Sequence, residues 1–170
     1  MSEPSTEPAP SDGEARARAA LEASGLRFRI TRHAAVRSLA EAAAARKLRP
    51  EQIVKTIVVR RGPDDYLFVL VPGGRTISWP KLRALLGVSR LSMPDAAVAR
   101  EVTGYERGTI TPFGATHAWP VVADARVPGQ AVSIGGGAHG VAATVDGSRL
   151  VLALGATVAD VTDAEDGQPD

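Results

Sequence analysis

Two apolar runs set on either side of a turn constrain this chain more than any other feature. Ile53-Val54-Lys55-Thr56-Ile57-Val58-Val59 is largely β-branched, and Tyr66-Leu67-Phe68-Val69-Leu70-Val71 is apolar at every position. Gly62-Pro63-Asp64-Asp65 between them is turn chemistry. The spacing predicts an antiparallel hairpin of residues 53–61 against residues 66–71, with the first run read as a buried strand.

Lys55 breaks that strand's character. Strand alternation puts Ile53, Lys55, Ile57 and Val59 on one face, so a charge points where apolar side chains point. The chain has only three lysines, Lys47, Lys55 and Lys81, and otherwise uses arginine. A buried ammonium is costly unless it is paired or used, and such groups gather at functional sites. The alternative is a lysine that snorkels past the end of its strand, its stem covering apolar surface.

At 170 residues the chain is long enough for one domain with a substantial core. Zero cysteines exclude disulfides, thiolate catalysis and zinc-thiolate sites. No stretch approaches the roughly 20 apolar residues of a membrane span, and the acidic, proline-rich start is unlike a signal peptide. The expectation is a cytoplasmic protein with no membrane partner. The net charge of +1 conceals an asymmetry. Both ends are acidic, whereas ten bases between Arg27 and Arg61 face only Glu41 and Glu51. A basic face suits phosphate-rich partners such as RNA. Aromatic residues are only 4%, too few for base-stacking platforms.

Residues 1–13 read as a disordered tail, 14–162 as a single domain and 163–170 as an acidic disordered tail. Helical composition runs from Glu14 to a C′ glycine at Gly25, followed by an alternating strand over residues 26–30. Ser38-Leu39-Ala40-Glu41 matches the S-x-x-E helix start, and Pro50-Glu51 opens a short turn. Pro80 to Leu86, closed by Gly87, and a segment from Asp95 to Gly104 are further helices. Strands follow at 121–123, 130–134 and 141–145, then a short helix at 148–154. This order predicts an α+β fold, a mixed, barrel-like β-sheet flanked by helices.

Gly135-Gly136-Gly137-Ala138-His139-Gly140 satisfies G-x-G-x-x-G, but its context is wrong for a dinucleotide site. That fingerprint needs a helix at the last glycine, and Val141-Ala142-Ala143-Thr144-Val145 is β-like. The glycine amides suit an oxyanion or phosphate instead, or simply a hairpin turn. A second loop, Gly104-Tyr105-Glu106-Arg107-Gly108-Thr109-Ile110-Thr111-Pro112-Phe113-Gly114, holds three glycines and a proline that fix an unusual path. His33, His117 and His139 form no H-x-H or H-E-x-x-H pair, so no metal is expected. Asp124 ends a strand and is read as a turn cap, with pairing to a cation as the alternative.

Taken together these segments resemble the YbaK/EbsC group of freestanding, ProX-type aminoacyl-tRNA deacylases, related to the editing domain of some bacterial prolyl-tRNA synthetases. The resemblance runs through Thr31-Arg32-His33, Ser38 to Ala42, Glu51 to Thr56, the Gly104–Gly114 loop, Pro120 to Asp124, Ser133 to Gly136 and Leu154 to Val161. Lys55-Thr56 and the G-x-x-x-P-x-G stretch from Gly108 to Gly114 are its sharpest parts. It implies release of a small amino acid (cysteine, alanine or serine) from mischarged tRNA, commonly tRNA for proline, without a cofactor. The partners it implies are the aminoacyl 3′ end of the tRNA and prolyl-tRNA synthetase, with the chain a monomer or homodimer. A non-catalytic module that binds tRNA ends, or regulates, is the alternative.

By the same resemblance Lys55 is the family's essential lysine, and Gly108, Pro112 and Gly114 line its pocket. Thr56, Gly104, Phe113, Gly135, Gly136 and His139 complete the expected substrate contacts. The chain departs from the family at Ala138-His139, where relatives often carry arginine. Lys55 either stabilises negative charge on the ester carbonyl or anchors tRNA phosphate; the sequence leaves both open.

Overall fold

The computed structural model describes residues 11–34 and 38–165. Its elements are five helices, α1 (Asp12–Ser24), α2 (Leu39–Ala45), α3 (Trp79–Leu86), α4 (Ala96–Thr103) and α5 (Gly147–Ala153), and nine strands. The strands are β1 (Arg29–Arg32), β2 (Val54–Gly62), β3 (Asp65–Pro72), β4 (Arg75–Ile77), β5 (Val121–Asp124), β6 (Ala131–Gly135), β7 (Val141–Asp146), β8 (Thr157–Ala159) and β9 (Thr162–Ala164).

The predicted hairpin is the centre of the larger sheet. β2 pairs antiparallel with β3, from Val54 opposite Pro72 to Arg60 opposite Tyr66, and the turn carries Asp64 at a φ of 52°. β3 then pairs parallel with β5, and β5 with β8, giving the order β2-β3-β5-β8. A strand with neighbours on both sides and layers on both faces has no polar side, which explains the unbroken apolar run of β3. Phe68 and Leu70 face one core with Val54, Val58, Val132, Ile134, Val145 and Leu150. Leu67, Val69 and Val71 face a second core with Val59, Leu82 of α3 and Val161.

β6 and β7 form an antiparallel hairpin across Gly135–Gly140, extended by β1 into a three-stranded sheet, β1-β7-β6. The glycine loop is therefore a hairpin turn followed by a strand, as the β-like residues after it require. Ile53, just before β2, forms an isolated parallel bridge to Ser133 of β6. The mixed α+β architecture is the expected one; the two sheets lean together there without closing into a barrel.

Gly25 ends α1 as expected, at a φ of 78°, whereas Ser11, expected in the tail, caps its start by accepting from the Glu14 amide. Ser38 caps α2 through the Glu41 amide. Differences lie at the margins. α1 begins at Asp12, two residues before the expected start, and β1 lies at Arg29–Arg32, displaced from residues 26–30. Residues 163 and 164, expected in a disordered tail, pair with β4 as part of β9. Residues 11–13 and 165 of the expected tails are also described, and residues 1–10 and 166–170 lie outside the described residues.

Candidate functional site

A cavity of about 550 Å³ opens at the free edge of β2 beyond the Ile53 bridge to β6. Its walls come from Ile53, Val54 to Val58 on β2, Ile134 and Gly135 on β6, Leu39, Ala42 and Arg46 at α2, and Arg107, Gly108 and Ile110 in the glycine loop. Met93, Pro94 and Ala99 complete it. Its cations are Arg46, Lys55 and Arg107, and among the described residues no Asp, Glu or His lines it. It is an apolar hollow with a positive lining.

Lys55 sits opposite Val71 in the ladder, on the face that carries Ile57 and Val59, as alternation predicts. It is nevertheless exposed, which corrects the expectation of a charge held among buried side chains. β2 is an edge strand here, so the ammonium reaches water at the cavity and makes no hydrogen bond or ion pair with any described residue. Its exposure fits the snorkelling alternative, with the residue still part of the cavity lining. Thr56 lines the same wall, and its Oγ1 is buried without a protein partner.

The two glycine loops meet at the cavity through Gly108 and Gly135. A side chain at Gly135 would come within 3.0 Å of the Ile110 carbonyl oxygen, so glycine there lets β6 pass close beneath the loop. The other residues expected to contact substrate do not line the hollow. Gly104 ends α4 in the left-handed region, and Phe113 belongs to the first core. Pro112 and Gly114 lie in the return of the loop, away from the lining. Gly136 is pressed against Val141 within the hairpin. His139 lies outside, beside Gly108, with Nε2 at 3.5 Å from Glu106 Oε2. These residues shape the loops that the cavity uses.

What holds the loops is α1, which local sequence does not reveal. Arg16 donates from Nη2 to the Gly104 carbonyl at 2.7 Å and from Nε to the Gly114 carbonyl at 3.2 Å. Its guanidinium also lies 4.8 Å from the centre of the Tyr105 ring. Tyr105 in turn donates to the Phe113 carbonyl at 2.6 Å, and burial raises its pKa so that it stays a donor. Gly13 packs against Gly137 of the second loop, and Glu14 takes a bidentate pair from Arg32. Both ends of the glycine loop are therefore pinned to one helix.

The profile of the aminoacyl-tRNA editing domain matches residues 33–152. The chain belongs to the aminoacyl-tRNA editing-domain family. Proline–tRNA ligase of Thermosipho africanus is 35% identical over 80 residues, 47% of this chain and 14% of the ligase. That of Thermosipho melanesiensis is 35% identical over 89 residues, 52% of this chain and 15% of the ligase. The chain thus spans about one seventh of these relatives' length. Among solved structures, a protein provisionally described as a trans-editing enzyme for prolyl tRNA synthetase superposes with a TM-score of 0.81 at 28% identity, over 92% of this chain and 100% of that one. The hypothetical protein APE2540 gives 0.79 at 28% identity, over 87% and 99%. The family match starts after α1, so the helix that pins both loops of this editing domain lies outside it.

Proposed function

We propose that this editing domain is a freestanding, trans-acting deacylase that releases a small amino acid, alanine, cysteine or serine, from mischarged tRNA for proline. The observation that carries the reading is the shared cavity of Lys55, Thr56, Gly108 and Gly135, apolar in its walls and free of acidic groups. Hydrolysis adds water to the ester carbonyl, places negative charge on its oxygen, and expels a ribose hydroxyl. The Lys55 ammonium and amides of the glycine turns suit that charge or the nearby phosphates. Among the described residues no His, Asp or Glu lines the hollow, so the proton of the attacking water is relayed through the neighbouring ribose hydroxyl to the departing ribose oxygen, which leaves as a hydroxyl. Prolyl-tRNA synthetase, which makes the mischarged product, is the proposed partner, and the cytoplasm the proposed location. No described helix is long and apolar enough to cross a membrane.

The lack of a general base in the cavity favours one second reading, a module that binds the tRNA end without cutting the ester. Purified protein incubated with tRNA for proline charged with alanine, cysteine, serine or proline separates the two. Rapid release of at least one small residue, with proline spared, is the expected result. Binding of every tRNA with release of none would establish the second reading.

A further inference from the structure

Arg46 follows α2 as its C-terminal cap and is one of the residues that line the cavity. Burial lowers its pKa, yet no carboxylate among the described residues pairs with it and none lines the hollow. Nη2 lies 2.9 Å from His33 Nε2. A guanidinium can only donate, so His33 Nε2 is the acceptor. His33 Nδ1 then carries the hydrogen and donates to the Ala34 carbonyl at 3.0 Å. Arg46 Nε is buried without a partner. Thr56 Oγ1, in another residue of the lining, is likewise buried without a partner. A lining guanidinium oriented by a histidine acceptor, with no carboxylate partner among the described residues, is arranged to receive an anionic oxygen.

We infer that Arg46 binds an anionic oxygen of the substrate and that His33 is the residue that positions it. The inference rests on reading the cavity as a tRNA-end site. Two oxygens of that substrate share this chemistry: the phosphodiester preceding the terminal adenosine, and the ester carbonyl oxygen as it turns negative. Either role leaves Lys55 free for the other, which divides between two cations the work that the sequence assigned to one.

The test compares wild type with Arg46→Ala and Arg46→Lys. The readouts are calorimetric binding of the dinucleotide CpA and of adenosine, and steady-state hydrolysis of aminoacyl-tRNA and of phosphate-free aminoacyl-adenosine. If the phosphate is the ligand, Arg46→Ala weakens CpA binding and raises KM for aminoacyl-tRNA by about 10- to 100-fold, sparing adenosine and aminoacyl-adenosine. If the carbonyl oxygen is the ligand, CpA binding holds and kcat falls on both esters. Arg46→Lys keeps the charge without the fork and gives an intermediate loss, which covers an alanine variant that fails to fold. His33→Gln, which keeps an acceptor, retains the wild-type pattern, whereas His33→Phe follows the Arg46 variants. Unchanged CpA affinity, KM and kcat in folded Arg46 variants would overturn the inference. Should wild type hydrolyse no ester, the deacylase reading falls separately, and equal CpA binding by wild type and Arg46→Ala would then overturn this one.

Discussion

A hydroxyl shut away from water without a partner works against the fold that buries it, and Thr56 carries one at the cavity wall. Valine has nearly the same shape and no hydroxyl. Thr56→Val is therefore expected to raise stability by about 1 kcal/mol, or about 2–4 °C in Tm. A calorimetric melt of the variant beside wild type checks this. At this scale the sequence was informative where residue type clashed with its surroundings. Lys55 in an apolar strand stood out and does line the cavity. Its exposure was not legible, because strand alternation gives a face but not whether the strand lies at a sheet edge. Arg46 had no such contrast, being one arginine in a basic, alanine-rich segment.

Helix α1 looks in isolation like a routine surface helix; Gly25 marked its end, but its start was placed at Glu14 and its cap, Ser11, in the expected tail. Its role was not legible, since Arg16 meets carbonyls 88 and 98 residues away. Gly13 gives that role a sign test. Alanine is favoured over glycine inside a helix by about 1 kcal/mol, so propensity alone predicts that Gly13→Ala stabilises. A Cβ there would lie 2.3 Å from the Gly137 carbonyl oxygen, so the helix must move off the second loop. The expected net effect is a loss of about 1–3 kcal/mol together with reduced activity, measured by denaturant unfolding and by the deacylation rate. β8 and β9 escaped sequence reading for a related reason. Each is three residues long, and β9 contains Asp163, so neither shows the apolar run that marks a strand. They form because the larger sheet and β4 offer free edges.

The whole molecule is closed at its C-terminal end by a polar cluster beneath the second core. Asp124 is fully buried and accepts from the Val161 amide at 3.1 Å, the Thr162 hydroxyl at 2.9 Å and the Arg126 amide at 3.1 Å. It is both the turn cap expected and a partner for Arg126. Arg126 and Lys81 then hold Asp160, whose pKa is lowered by those hydrogen bonds, Arg126 first. A carboxyl with a depressed pKa adds stability above its unfolded value, about 3.9, and that contribution is lost as pH falls through the folded value. Asp160→Asn is thus expected to flatten the acid limb of the Tm–pH profile below about pH 4, by a small amount because the group is exposed. An unchanged acid limb would show that the cluster does not couple to folding. The general plan, one apolar hairpin between two cores, was legible because β3 is apolar on both faces. The gap between β2 and β6 was not, since it arises from how two sheets meet rather than from either sequence.

Release of amino acid from mischarged tRNA for proline by Lys55→Ala tests the account at its centre. Deacylation should fall by about 100- to 1000-fold while Tm stays at the wild-type value, since Lys55 is exposed and makes no hydrogen bond or ion pair with any described residue. A folded Lys55→Ala protein that deacylates at the wild-type rate would contradict it.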